Sequence, residues 1–293
     1  MIRIGYVGVN TELPTASRTF RLAGYSQERM LEVAQSNILA LEKILEWNGE
    51  RGIEVFRITS NLIPFGSHPV NSGIWKQALR GDLERVGRFI RQRGMRVSMH
   101  PGQFTVLNTP NGRFLANTLR DLDYHAAVLD LMGLGSGHKI ILHGGGSYGE
   151  KERYAGVLIE RIGMLPAGIR SRLVLENDGR TFTAEDILCI CRETGLPGVF
   201  DVLHHQVSPS LHGIDVREAI LLFQMTWLDQ RQEIHYSDPD PKKGRDAHSE
   251  SVEIARFGSF LRKVWDLEID IMLEVKDKQA SVLKLKEAFP ELG

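Results

Sequence analysis

Nine side chains of two chemical kinds could act together in this chain: His100, His143, Glu176, Asp201, His204, His235, Asp246, His248 and Glu274. Six of them, His100, His143, Glu176, Asp201, His235 and Glu274, fall at or near the end of short β-branched runs. Asp201-Val-Leu-His204 and Asp246-Ala-His248 each set a carboxylate beside an imidazole. A lone strand-end histidine is more often a satisfied core residue, and a lone carboxylate often caps the next helix. Six strand ends of this kind have no such structural need. Five imidazoles and four carboxylates exceed the coordination of one ion, so the set predicts a cluster of two or three divalent cations. With no thiolate among the donors, zinc, manganese or related divalent ions suit the set better than a dedicated magnesium site; manganese is the expected ion, with zinc, magnesium or cobalt as alternatives. Clustered cations can activate water and neutralise charge developing on a leaving oxygen, so no nucleophilic side chain is required.

The elements that must position these groups follow from an alternation of strand and helix patterns. β-branched runs occur near residues 2–7, 53–59, 95–100, 139–143, 173–176, 199–202, 233–236 and 269–275. Between them, Ser26 can cap a helix reaching about Trp47 before Gly49, and Gly94 can close the next. Thr183 with Asp186 forms an acidic capping box, and Gly195 stands where that helix should stop. The alternation predicts an α/β fold, a closed parallel (β/α)8 TIM barrel spanning residues 1–293 as one domain, with a doubly wound open sheet as runner-up. In such a barrel the C-terminal strand ends share one face, and the six residues converge there.

Other residues are expected at the same mouth. His68 lies in the loop after the second strand, where it could contact the ligands or a phosphate. Gln103 and Phe104 lie on the loop after the third. Tyr6 and Asn10 stand at and just after the first strand, with a barrel-filling role as the alternative for Tyr6. Lys242, Lys243 and Arg245 lie beside Asp246 and suit phosphate contact or a solvated loop. His125, His138, His205 and His212 lack strand-end placement or a distinguishing acidic partner and read as structural or surface residues.

Composition narrows the class. Hydrophobic residues make up 42% and charged residues 25%, as in an ordinary globule with a sizeable core. The formal net charge of −1 argues against holding nucleic acid by bulk charge alone, so bound cations would have to supply positive charge at the mouth. No run reaches the roughly 18 apolar residues of a membrane span, and a cytoplasmic location is expected. Cys189 and Cys191 point to different helix faces and read as packing residues, neither a disulfide nor a metal pair.

The blocks RITSNLIPFGSHP, RVSMHPGQFTVLN, KIILHGGGSYGEK, LVLENDGR, FDVLHH, EIHYSDP and DAHSE, in this order, resemble the UV damage endonuclease family over almost the whole chain. The donor set is also similar to the trinuclear site of the related barrel enzyme endonuclease IV. The resemblance implies a hydrolase that cuts damaged double-stranded DNA immediately 5′ to cyclobutane pyrimidine dimers and 6-4 photoproducts, leaving a 3′-hydroxyl and a 5′-phosphate. It would associate with the nucleoid when bound, with no obligate protein partner and no membrane.

By the same resemblance, His100, His143 and Glu176 would hold one ion. Glu176, Asp201, His235 and Glu274 would hold a second, and His204, Asp246 and His248 a third. Tyr6 and Asn10 would touch the damaged nucleotides, and Gln103 with Phe104 would enter the base stack, where many members have Tyr at the second position. One departure concerns Glu233, where the family commonly has lysine two residues before the seventh-strand histidine. A carboxylate there could approach a metal and share in catalysis, or face outward. The main alternative function is a metal-dependent sugar isomerase or epimerase on a similar barrel; a DNA-binding barrel without catalysis is the lesser one.

Overall fold

The structure, a computed structural model, describes residues 1–244 and 246–292. Among them, strands β1 (Arg3–Gly8), β2 (Val55–Ile58), β3 (Arg96–Met99), β4 (Ile140–His143), β5 (Leu173–Glu176), β6 (Gly198–Asp201), β7 (Gln232–Tyr236) and β8 (Ile269–Leu273) alternate with helices. Every neighbouring pair is parallel, and β1 pairs with both β2 and β8, so the sheet closes in sequence order. The fold is the (β/α)8 TIM barrel, and the open sheet is excluded.

Local chemistry sets the helix ends. The Ser26 side chain accepts from Arg29 N and starts the helix Gln27–Glu50, which runs three residues beyond the expected Trp47. Thr183 and Asp186 satisfy each other's backbone N–H groups at the start of Ala184–Thr194, and Gly195, at φ 71°, ends it in the left-handed conformation that glycine adopts without steric cost. Cys191 is buried and Cys189 exposed on that helix.

Alternation along the strands divides the interior. Ile4, Phe56, Val97, Leu142, Leu175, Phe200, Ile234 and Ile271 belong to the large core between sheet and helices. Ile141, Val174 and Val199 form a separate cluster with Trp227 inside the barrel. They stand two residues before His143, Glu176 and Asp201, so the same pleat aims those three inward, above an apolar plug.

Candidate metal centre and DNA-facing mouth

Six of the nine donors are delivered by strand ends. His100 follows β3, His143 ends β4, Glu176 ends β5, Asp201 ends β6, His235 lies in β7 and Glu274 follows β8. His100, His143 and Glu176 form one set, and Glu176, Asp201, His235 and Glu274 another; within each, one donor atom per residue lies within 4.8 Å of the rest. Glu176 is fully buried between them. Its Oε2 is 2.9 Å from His100 Nε2 and 3.8 Å from His143 Nδ1, whereas its Oε1 is 2.7 Å from His235 Nδ1. Each oxygen therefore addresses a different set.

The donors fit divalent cations on a further observation. Two buried polar atoms, His143 Nδ1 and Asp201 Oδ2, have no hydrogen-bond partner, and each belongs to one of the two sets. Asp201 uses its other oxygen to cap the helix Val202–Val207, accepting from His204 N at 2.6 Å. A cation would give both orphaned atoms the partner that buried polar groups require.

The charges are strongly coupled. Burial works against ionisation of Glu176, but His235, His143 and His100 outweigh it and hold its carboxyl well below the usual range. Burial likewise opposes charge on Glu274, and Arg57 and His235 overcome it and lower its pKa. Burial raises the Asp201 pKa and lowers that of His143. Arg57, which sequence reading missed, lies among these groups: it donates to Glu274 Oε1, and its Nη2 is 2.6 Å from His235 Nε2. His235 thus stands between the two groups, with Nδ1 facing Glu176 and Nε2 facing Arg57. The missed signal was parity, because Arg57 shares the inward face of β2 in an otherwise apolar Val-Phe-Arg-Ile strand.

The expected third set is less closely gathered. His204 and His248 have ring centres 6.0 Å apart, and His248 Nε2 is 3.6 Å from Glu274. The Asp246 carboxylate instead accepts from Arg180 Nε at 2.7 Å. A cavity of about 430 Å³ opens beside His143, His204 and Asp246, with Gln103, Tyr148 and Arg180 on its other walls.

Glu233 faces inward below the donors: it accepts from Ser98 Oγ at 3.2 Å and lies 3.5 Å from His235 Nε2 and 4.0 Å from Arg57. It belongs to neither donor set. Burial opposes its charge, but His235, Arg96 and Arg57 lower its pKa.

Two placements correct the sequence reading. Tyr6 is fully buried on the outer face of β1, edge-on to Phe56, with its hydroxyl donating to Asn48 of the helix Gln27–Glu50. It does not face the mouth, because strand parity turns it toward the helix layer. Asn10 is also buried; its amide donates to the Tyr6 hydroxyl and its Oδ1 accepts from Glu12 N, so it shapes a turn.

The remaining mouth residues are accessible. His68 is exposed, with Nδ1 accepting from Val70 N, and none of its hydrogen bonds or ion pairs reaches a donor residue. Gln103 is exposed, and Phe104 is 85% exposed at the loop tip. Lys242 and Lys243 are exposed on the loop after β7, while Arg245 lies outside the described residues.

The profile of the UV-endonuclease UvdE family matches residues 2–293. The chain belongs to that family. A UV DNA damage endonuclease of Clostridium perfringens is 37% identical over 298 residues, covering 100% of this chain and 72% of the relative. The solved structure of SacUVDE, 40% identical, superposes with a TM-score of 0.95 over 99% of each chain. Endonuclease IV from Thermus thermophilus reaches a TM-score of 0.62 at 17% identity over 99% of each chain, a likeness of fold alone. No helix among the described residues of this UvdE family member is long and apolar enough to cross a membrane.

Proposed function

We propose that the protein cuts UV-damaged double-stranded DNA immediately 5′ to a cyclobutane pyrimidine dimer or 6-4 photoproduct, leaving a 3′-hydroxyl and a 5′-phosphate. The observation that carries the reading, for a chain of this family, is the buried Glu176 carboxylate with one oxygen facing each donor set. Two or three divalent cations, manganese first among them, would supply an activated water and neutralise charge on the departing oxygen. His100 and His143 would hold one with Glu176, and Asp201, His235 and Glu274 another with the same carboxylate. His204, Asp246 and His248 would hold a third.

The chain's own residues supply the rest. Glu176 fixes the spacing of the sets, and Arg57 offsets part of their negative charge and orients His235. Lys242 and Lys243 offer phosphate contacts on the exposed loop. Phe104 presents an aromatic face to solvent, suited to fill the space left when nucleotides leave the stack. Photoproducts weaken stacking, which lowers the few kcal/mol needed to extrude them and makes recognition independent of sequence.

The decisive measurement is nicking of a UV-irradiated, end-labelled duplex with Mn2+, against unirradiated duplex and the Glu176→Gln variant. Glu176→Gln keeps the shape and loses the charge, so nicking should fall by at least about 100-fold. Bound metal per chain should fall with it. Absence of lesion-dependent nicking across several divalent metals would sink the proposal.

A further inference from the structure

His125, which sequence reasoning set aside, is fully buried and lies at the centre of a polar network that the chemistry above does not use. Its Nδ1 is 2.7 Å from the backbone oxygen of Asp121, and its Nε2 is 2.9 Å from Ser60 Oγ. Ser60 Oγ donates to the backbone oxygen of His100 at 2.7 Å, at the root of the loop that carries Gln103 and Phe104. At the far end of that loop, Thr105 Oγ1 donates to the Asp121 carboxylate at 2.6 Å. Next to it, Val106 N donates to Thr118 Oγ1 at 3.0 Å.

Thr118, Asp121 and His125 are spaced three and four residues apart on the helix Gly112–Leu131, so one helix face grips both ends of the loop. Tyr124 beside them donates to Ser60 O and accepts from Ile63 N, fixing Ser60 in turn. Between the gripped ends the chain turns with Thr105 N donating to Gly102 O at 2.9 Å. The exposed Gly102, Gln103 and Phe104 therefore project from a base tied to the helix and to Ser60 at its two ends.

We propose that Ser60, Thr105, Asp121 and His125 form a clamp of positioning residues that presents Phe104 to the base stack in a fixed pose. This rests on the reading of Phe104 as the group that enters damaged DNA. A side chain that must displace nucleotides loses affinity if its loop has to be ordered on binding, and a loop already held by buried hydrogen bonds avoids that cost.

The test compares Ser60→Ala, Thr105→Val and Thr105→Ser, alone and combined with Phe104→Ala. Binding is read on a duplex holding one thymine dimer beside 2-aminopurine, whose fluorescence reports unstacking. Ser60→Ala and Thr105→Val should each weaken lesion binding about tenfold, the equivalent of one buried hydrogen bond, and dim the unstacking signal. Thr105→Ser, which keeps the hydroxyl, should behave as wild type. In the Phe104→Ala background the clamp substitutions should add nothing. Additive losses, or none, would overturn the clamp.

Should Phe104→Ala bind the lesion as wild type does, the stacking role fails, and the clamp is judged without DNA. Hydrogen exchange of residues 102–105 in the free protein should then be at least about tenfold faster in Ser60→Ala and Thr105→Val. Unchanged exchange would overturn the clamp whatever Phe104 does.

Discussion

Arg57 concentrates the electrostatic problem of the site in one residue. It is buried at 7% exposure and lies within ion-pair distance of Glu274 and Glu233. Removing one partner of a buried pair costs roughly 3–5 kcal/mol, because the other is left uncompensated, whereas removing both is often close to neutral. Arg57→Met should therefore lower stability by about 3 kcal/mol in urea unfolding, and Arg57→Met/Glu233→Met should recover much of that loss. If the double variant instead shows the sum of two single losses, Glu233 is not the partner left exposed by the first. The donor residues were legible in the sequence because a strand end names both a place and a direction once the fold is a barrel. Tyr6 and Arg57 were not, since their facing depends on strand register: one pleat step sends Tyr6 to the helix layer and Arg57 into the barrel.

At the scale of elements, the helix Arg80–Gln92 shows how closely packing sets the geometry behind the third loop. A Cβ at its Gly87 would lie 1.6 Å from the backbone oxygen of Met132, just past the end of the helix that carries the clamp. Propensity favours Gly87→Ala by about 1 kcal/mol, but overpacking against backbone costs roughly 1–3 kcal/mol or more. Packing should win, and Gly87→Ala should lower the urea midpoint at unchanged m-value. A raised midpoint would mean that the two helices are not held this close. The strand and helix order was readable because each unit carries its own caps and turns, as at Ser26, Thr183 and Gly195. The clamp was not, because Ser60, Thr105 and His125 meet only after two successive units have packed.

Across the whole molecule, the barrel opposes its donor-rich mouth with a floor of cations. Asp270, fully buried, is shared by Arg3, Arg96 and Arg231. Lys139 is buried nearby, with Nζ donating to Ser171 O at 3.1 Å. Burial first, then Arg96 and Arg172, lower its pKa from 10.5 to about 8. Burial and Arg96 similarly lower His138 from 6.5 to about 4. In both cases the unfolded chain binds the proton more tightly, so stability rises with pH between the folded and unfolded values. For His138 that window is pH 4 to 6.5, and for Lys139 it is pH 8 to 10.5. Asp270 acts in the same direction at lower pH: burial opposes its charge, the arginines outweigh it, and its contribution is lost as pH falls through the lowered value. Lys139 is thus an unfavourable charge at neutral pH, and Lys139→Met should be more stable than wild type at pH 7 by about 1–3 kcal/mol in urea unfolding. Its advantage should shrink as the pH is raised toward 10, where the wild-type lysine folds without its proton. An advantage that stays constant from pH 7 to pH 10 would trace to packing, and the cationic floor would then carry no electrostatic strain at Lys139.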